Sequence, residues 1–223
     1  MTLTNDEIDE RELQLGLANR LGELGWEFAW DETLDRPIDD VLRFSDVEAA
    51  LIRLNPEIAE DPTRVEQVFA KLRAILLAVE NDGLVTTNQE FVAWMRGLRS
   101  VKYMGETKES QVRLIDFDDM SNNVLRCTVE ATFSRSADHK NRRYDIVLWI
   151  NGLPVVVGET KSPKNANLSW LNGATDIYNG YEVKTKQFFV PNVLSFATEG
   201  REFRYGAIRQ SPEMWLNWAK TTD

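Results

Sequence analysis

The chain has 223 residues, 43% of them hydrophobic and 28% charged, with Lys+Arg 26 against Asp+Glu 36 and a formal net charge of −10. That is an ordinary globular composition with room for one large or two small domains, and its negative balance excludes DNA binding by the surface as a whole. One cysteine, Cys127, excludes an internal disulfide and fits a reducing compartment, and its expected role is that of a small buried hydrophobe.

No stretch approaches the ~18 apolar residues of a membrane span. The opening MTLTNDEIDERELQ has no apolar core, so neither a membrane anchor nor a signal peptide is expected, and the expected location is the cytoplasm. Charge is uneven: residues 1–100 hold 10 Lys+Arg and 21 Asp+Glu, residues 101–223 hold 16 and 15.

Residues 5–25 read as an amphipathic helix with Ile8, Leu13, Leu15, Leu17, Leu21 and Leu24 as its stripe, a Thr4–Glu7 capping box and Gly25 as its stop. Trp26, Phe28 and Trp30 alternate, which suits a strand with one buried face. Residues 38–55 predict a helix ended by Asn55-Pro56. Residues 63–80 predict another, stopped by Asn81-Asp82-Gly83, and a short one follows from Asn88 to Gly97. These helices read as a layer covering a sheet. From residue 110 the period changes: 112–117 and 124–133 alternate like strands. After the central hairpin, 168–181 reads as a helix, 187–196 as a strand broken by Pro191, 203–208 as a last strand, and Trp215 and Trp218 as anchors on a terminal helix. No repeat, low-complexity run or flexible linker appears. A single domain over 1–223 is expected, mostly helical to residue 100 and sheet-rich after it.

The hairpin is YDIVLWINGLPVVVGETK, residues 144–161. Two apolar runs flank Asn151-Gly152, a turn signal because both residues tolerate positive φ. Such runs suit strands covered on both faces, where Asp145, Glu159 and Lys161 are costly unless they pair or bind something. Glu159 and Lys161 share a face, but a strict two-residue turn pairs position 145 with position 158, on the wrong face. If the three residues act together, a three-residue loop or a bulge near Gly152 or Gly158 must make the hairpin irregular. An internal Asp–Lys or Glu–Lys pair at a strand end is the structural alternative. Arg135, His139, Lys140, Arg142 and Arg143 form a basic group just before Asp145, suited to a solvated loop or to phosphate contact.

Asp, thirteen residues, then Glu-x-Lys resembles the active-site motif of the PD-(D/E)xK nuclease superfamily, with Tyr144 where proline is common. The wider RRYDIVLWINGLPVVVGETKSP, with FFVPNVLSFATEGREFRYGAI downstream, is similar to the N-terminal nuclease domain of the R subunit of type I restriction–modification enzymes. The resemblance implies an α/β restriction-endonuclease-like fold, a mixed central sheet flanked by helices, with an N-terminal helical layer. It implies Mg²⁺, for which Mn²⁺ can substitute, held by Asp145, Glu159 and the backbone carbonyl of Thr160, with Lys161 orienting or activating water. An acidic residue on the first helix often joins such a site; Glu10 and Glu12 lie there, and Glu12 is preferred. Candidate DNA contacts are Arg142, Arg143, Lys164 and Tyr181. The family's Gln-x-x-x-Tyr motif finds Tyr181 in place but Ile177 where Gln stands.

The implied partners are double-stranded DNA, the methylation and specificity subunits, and helicase domains further along a longer chain, of which this would be the N-terminal fragment. No GxxxxGK[ST] is present, so no ATP site is expected here. With one His, no histidine metal cluster is possible. Cleavage without intrinsic sequence preference is the expected activity. The alternatives are a non-catalytic module of nuclease fold that docks other subunits, and a standalone nuclease.

Overall fold

The computed structural model describes residues 4–134 and 141–218. Helix α1 (Asn5–Glu23) starts at the expected capping box: Glu7 N donates to Thr4 Oγ1 at 3.3 Å, and Thr4 N donates to Glu7 Oε2 at 2.7 Å. Strand β1 (Glu27–Trp30) follows. The helical layer comprises α2 (Phe44–Leu54), α3 (Pro56–Glu60), α4 (Arg64–Asp82) and α5 (Leu84–Met95). A short ribbon pairs β2 (Ser100–Val101) with β3 (Ser110–Gln111). Then come β4 (Leu125–Phe133), β5 (Arg142–Ile150) and β6 (Leu153–Thr160), helix α6 (Trp170–Thr175), a π-helical turn over Asp176–Tyr181, and α7 (Glu182–Lys184). Strands β7 (Leu194–Thr198), β8 (Phe203–Gly206) and β9 (Leu216–Asn217) end the described chain.

The main sheet has seven strands in the order β1-β4-β5-β6-β7-β8-β9. β1 lies parallel to β4 and β6 parallel to β7, and the other neighbours are antiparallel. This is the mixed sheet flanked by helices that the resemblance implied. The larger core joins the sheet to α2–α5 through residues such as Leu51, Val68, Leu72, Phe91, Val147, Trp149 and Phe188. A smaller cluster of Ala18, Cys127, Val129, Ile146 and Phe196 seats α1. Burial pushes the Cys127 thiol up to about 12, so it is an inert packing residue.

Several local expectations are corrected. The 38–55 helix begins only at Phe44, although Val41 and Leu42 ahead of it are buried. Residues 112–117 form no strand. The Asp116 carboxylate accepts from the Asp118 and Asp119 amides and from Asn122 Nδ2, and Asn123 Nδ2 donates to the Asp116 carbonyl, so local bonds replace a ladder. Strand β7 starts at Leu194, not 187: Lys186–Phe189 is a 3₁₀ turn with Phe188 and Phe189 both buried, and Asn88 Nδ2 donates to the Val190 and Asn192 carbonyls. Among the described residues the expected terminal helix is only a 3₁₀ turn, Pro212–Met214, followed by β9. Trp215 is buried against Gly206, where any Cβ would strike its ring, whereas Trp218 is exposed. Phe28 and Trp30 stay partly exposed because β1 is an edge strand. On α1 the buried residues are Asp9, Gln14 and Ala18, while the leucine stripe is only half-buried and Ile8 and Leu24 are exposed.

Candidate functional site

Asn151 (φ 50) and Gly152 (φ 79) make the two-residue turn that joins β5 to β6. Both positive angles match the twist of the strands. Asn151 is also bonded in place: its Oδ1 accepts from Val124 N at 2.8 Å and its Nδ2 donates to the Leu114 carbonyl at 2.9 Å. Ile150 pairs with Leu153 and Trp149 with Pro154; the register then shifts, and Leu148 pairs with Val156. Val155 is the extra residue. Without it Asp145 would stand opposite Gly158. With it Ile146 faces Gly158, and the next step sets Asp145 opposite Glu159. The irregularity that the parity argument required is therefore present, midway along β6 rather than at either glycine.

A second irregularity lies on the other side of Asp145. Val129 pairs with Ile146 and Ala131 with Tyr144, which sets Glu130 opposite Asp145. Glu130 has φ 59, a left-handed conformation that L side chains seldom adopt in a strand. Tyr144 and Ile146, two residues apart, sit in different core clusters, so the alternation of faces breaks at Asp145.

At the strand end Asp145, Glu159 and Thr160 are all buried. Asp145 Oδ2 accepts from both Thr160 N and Thr160 Oγ1, each at 2.7 Å. Glu159 Oε1 lies 2.8 Å from Lys161 Nζ, and Glu159 Oε2 accepts from Tyr181 Oη at 3.1 Å. Lys161 Nζ also lies 2.8 Å from Asp176 Oδ2. Gly173 on α6 permits this closeness: a Cβ there would stand 3.1 Å from Glu159 Cγ. Among the described residues no three of His, Cys, Asp and Glu form a ready-made metal cage.

Burial, then the Asp145 charge, pushes Glu159 up from its ordinary 4.5 to about 8. Asp145 is raised by burial, against the Thr160 bonds and the Lys161 and Arg143 charges. Burial works against the Lys161 ammonium, but the Glu159 and Asp176 carboxylates more than offset it and hold the charge on. A crowd of acids with one lysine is short of positive charge, and its hard oxygen donors suit a divalent cation. Asp145, Glu159 and the Thr160 carbonyl are the groups that would hold one.

Of the other candidates, Glu12 is exposed and lies beside Asp9 and Lys164 in a shallow polar cleft. Glu10 instead reaches the hairpin end, where its Oε1 accepts from Ser162 N at 3.1 Å, and burial raises its carboxyl. The helical repeat explains the exchange: Glu10 and Gln14, four apart, share the face turned to β6, and Glu12 points elsewhere. Lys164, 72% exposed, pairs with Asp9 at 2.6 Å. Arg143, 61% exposed, lies 3.3 Å from Glu130, and Arg142 is half-buried. Arg135, His139 and Lys140 lie outside the described residues. Tyr181 is in the site. Ile177 is fully buried in the core, and the polar group facing Lys161 is Asp176, one residue earlier. A π turn holds an extra residue, so positions five apart come onto one face. Asp176 had no signal in the sequence, whereas Glu10 and Gln14 had one: two polar residues at helical spacing facing a strand end.

A sequence model described as "Type I restriction enzyme R protein N terminus" matches residues 7–213. The chain is 28% identical, over 95% of its length, to the type I restriction enzyme HindI endonuclease subunit of Haemophilus influenzae, and covers 20% of that protein. It is 30% identical, over 71% of its length, to the putative type I restriction enzyme MjaIXP endonuclease subunit of Methanocaldococcus jannaschii, and covers 15% of that one. The chain thus spans a fifth or less of these curated relatives, and, matched over residues 7–213, it belongs to that family, the N-terminal part of type I restriction enzyme R proteins.

Proposed function

We propose that the chain is a Mg²⁺-dependent endonuclease domain that hydrolyses phosphodiesters of double-stranded DNA without a sequence preference of its own. The observation that carries this reading is the bulge at Val155, which sets Asp145 opposite Glu159 with Lys161 bonded beside them. A hairpin needs no such irregularity for packing; it needs it to gather these three groups. A bound Mg²⁺, for which Mn²⁺ can substitute, would neutralise phosphate charge and lower the pKa of a water.

The residues do the rest. Asp145 and Glu159, with the Thr160 carbonyl, present hard oxygens in a buried strand end. Lys161 keeps its proton, held by Glu159 and Asp176, and supplies a fixed positive charge that orients the attacking water and stabilises charge on the phosphorane. Tyr181 fixes the far oxygen of Glu159. The names of the relatives support a place in a restriction complex on DNA, with methylation and specificity subunits giving target choice and helicase domains of a longer chain using the ATP. A cytoplasmic location follows from that setting; no described helix is long and apolar enough to cross a membrane.

The test is nicking of supercoiled plasmid by this chain in Mg²⁺ with and without chelator. The wild type is expected to nick only with metal, and Asp145→Ala, Glu159→Ala and Lys161→Ala to lose it. Retained nicking in all three would remove the assignment. The buried Glu159–Lys161 pair, extended to half-exposed Asp176, favours one other reading, a structural ion pair in a docking module, which would bind no Mn²⁺ in a calorimetric titration.

A further inference from the structure

Gln14 is out of place by packing rules. It is 3% exposed, more buried than Leu13, Leu15 or Leu17 on the same helix. Its Nε2 donates to Thr160 Oγ1 at 3.1 Å, while its Oε1 is buried with no hydrogen-bond partner among the described residues. An unpaired buried oxygen costs stability, and a leucine or methionine there would avoid it. Packing alone therefore does not account for a glutamine.

The hydrogen bonds give it a task. Thr160 Oγ1 accepts from Gln14 and donates its own proton to Asp145 Oδ2, at 2.7 Å. A hydroxyl has one proton, so the amide of Gln14 on its lone pair fixes the direction in which that proton points. Thr160 N donates to the same oxygen. Both bonds end on Oδ2, which locks the carboxylate plane and leaves Oδ1 outside the grip. All three residues are nearly or wholly buried, so the chain is shielded from water.

We propose that Gln14 is a positioning residue for the cation site, acting through Thr160 to orient Asp145. This makes α1 part of the site rather than a cover over the sheet, and it rests on the metal-nuclease reading above. A group bonded directly to a metal ligand changes metal affinity about 10–100-fold when removed, and Gln14, one bond further out, is expected at the low end, about tenfold.

The experiment is Mn²⁺ titration by calorimetry on the 223-residue chain, with melting in chelator and plasmid nicking alongside. The variants are Gln14→Met, Thr160→Val, Thr160→Ser and the Gln14→Met/Thr160→Val double. Gln14→Met is expected to weaken Mn²⁺ binding about tenfold with a melting temperature equal to or above wild type. Thr160→Ser, which keeps the hydroxyl, should bind like wild type, and Thr160→Val should not. The double should bind no more weakly than Thr160→Val, because the relay is one unit. Wild-type affinity in Gln14→Met, or losses that add in the double, would overturn the proposal. If Gln14→Met does not fold, equal affinity in Thr160→Ser and Thr160→Val overturns it instead. Failure of the wild type itself to bind Mn²⁺ would strike the metal reading first, and is distinct from these.

Discussion

Replacing Glu159 with glutamine should stabilise the metal-free chain while abolishing cleavage. In the folded chain Glu159 holds its proton up to about 8, against 4.5 ordinarily. Between those values the folded state binds more protons than the unfolded one, so stability is full below pH 4.5 and falls as pH rises through 8. The full gap amounts to ~5 kcal/mol on the ionised form. Water entry at the strand end and movement of Lys161 relax the site, and about half, ~2 kcal/mol, is the gain we expect for Glu159→Gln at pH 8. The glutamine oxygen can still accept from Tyr181, and Lys161, which then faces the amide NH₂, keeps its Asp176 partner. For a chain of this size ~2 kcal/mol is about 4–8 °C in Tm. Thermal melts in chelator at pH 5 and pH 8 provide the assay: the variant should melt higher at pH 8, and the difference should shrink toward pH 5. A variant that melts lower than wild type at pH 8 would mean that Glu159 is the ionised half of a structural pair, and the reasoning would fail.

Lys161→Ala should destabilise at pH 8 by ~1–3 kcal/mol, since it strips the buried Glu159 of its ammonium; a chelator-containing urea melt reads this, and a stabilised variant would contradict it. Mg²⁺ should raise the wild-type Tm in proportion to ln(1+[Mg²⁺]/Kd) and leave Asp145→Asn unmoved, which differential scanning fluorimetry can follow. Glu182, buried and bonded to Arg209 N at 3.0 Å, is held up to about 7 by burial, so it too lowers stability as pH rises from 4.5 through 7. Glu182→Gln should flatten that slope by ~1–2 kcal/mol without altering nicking, and an unchanged slope in urea melts across pH would refute it. Tyr144→Phe removes the 2.8 Å bond from the buried hydroxyl to Thr185 Oγ1 and should cost about 1 kcal/mol in a urea melt, with activity kept.

The sequence carried the parts of this fold that local chemistry decides. The Thr4–Glu7 box, the Asn151-Gly152 turn and the apolar spacing of α4 all appear where residue type placed them. Parity alone required an irregular hairpin, because Asp145 and Glu159 could not otherwise share a face. It could not say that Val155 would supply the extra residue, since three consecutive valines offer no local mark for a bulge. Residues 112–117 alternate like a strand, yet Asp116 and Asn123 satisfy the backbone locally and no ladder forms. Asp176 was invisible because five-residue spacing meets on one face only in a π turn, and no residue type announces one. Position along the chain favours Glu12, whereas the face of the helix turns Glu10 toward the hairpin end.

The irregularities point one way. Glu130 is left-handed beside Asp145, the Val155 bulge opposite Leu148 and Trp149 resets the register at Asp145, the Asp176–Tyr181 turn is π-helical, and Gln14 is buried with an oxygen that has no partner among the described residues. Each costs free energy that a packing solution would avoid, and all four bear on one strand end. Elsewhere the hairpin is regular and apolar. A site that stored such strain for packing would sit in the deep core, where the gain is largest. Here it sits at the mouth, beside a half-exposed Asp176 and an exposed Arg143, where a polyanion can approach. The negative chain as a whole repels that polyanion, so on the proposed reading a cation would meet the local shortage of positive charge and partners would bring the DNA. The fold supplies the oxygens and one lysine, and on that reading delivery of the substrate would fall to the rest of a restriction complex.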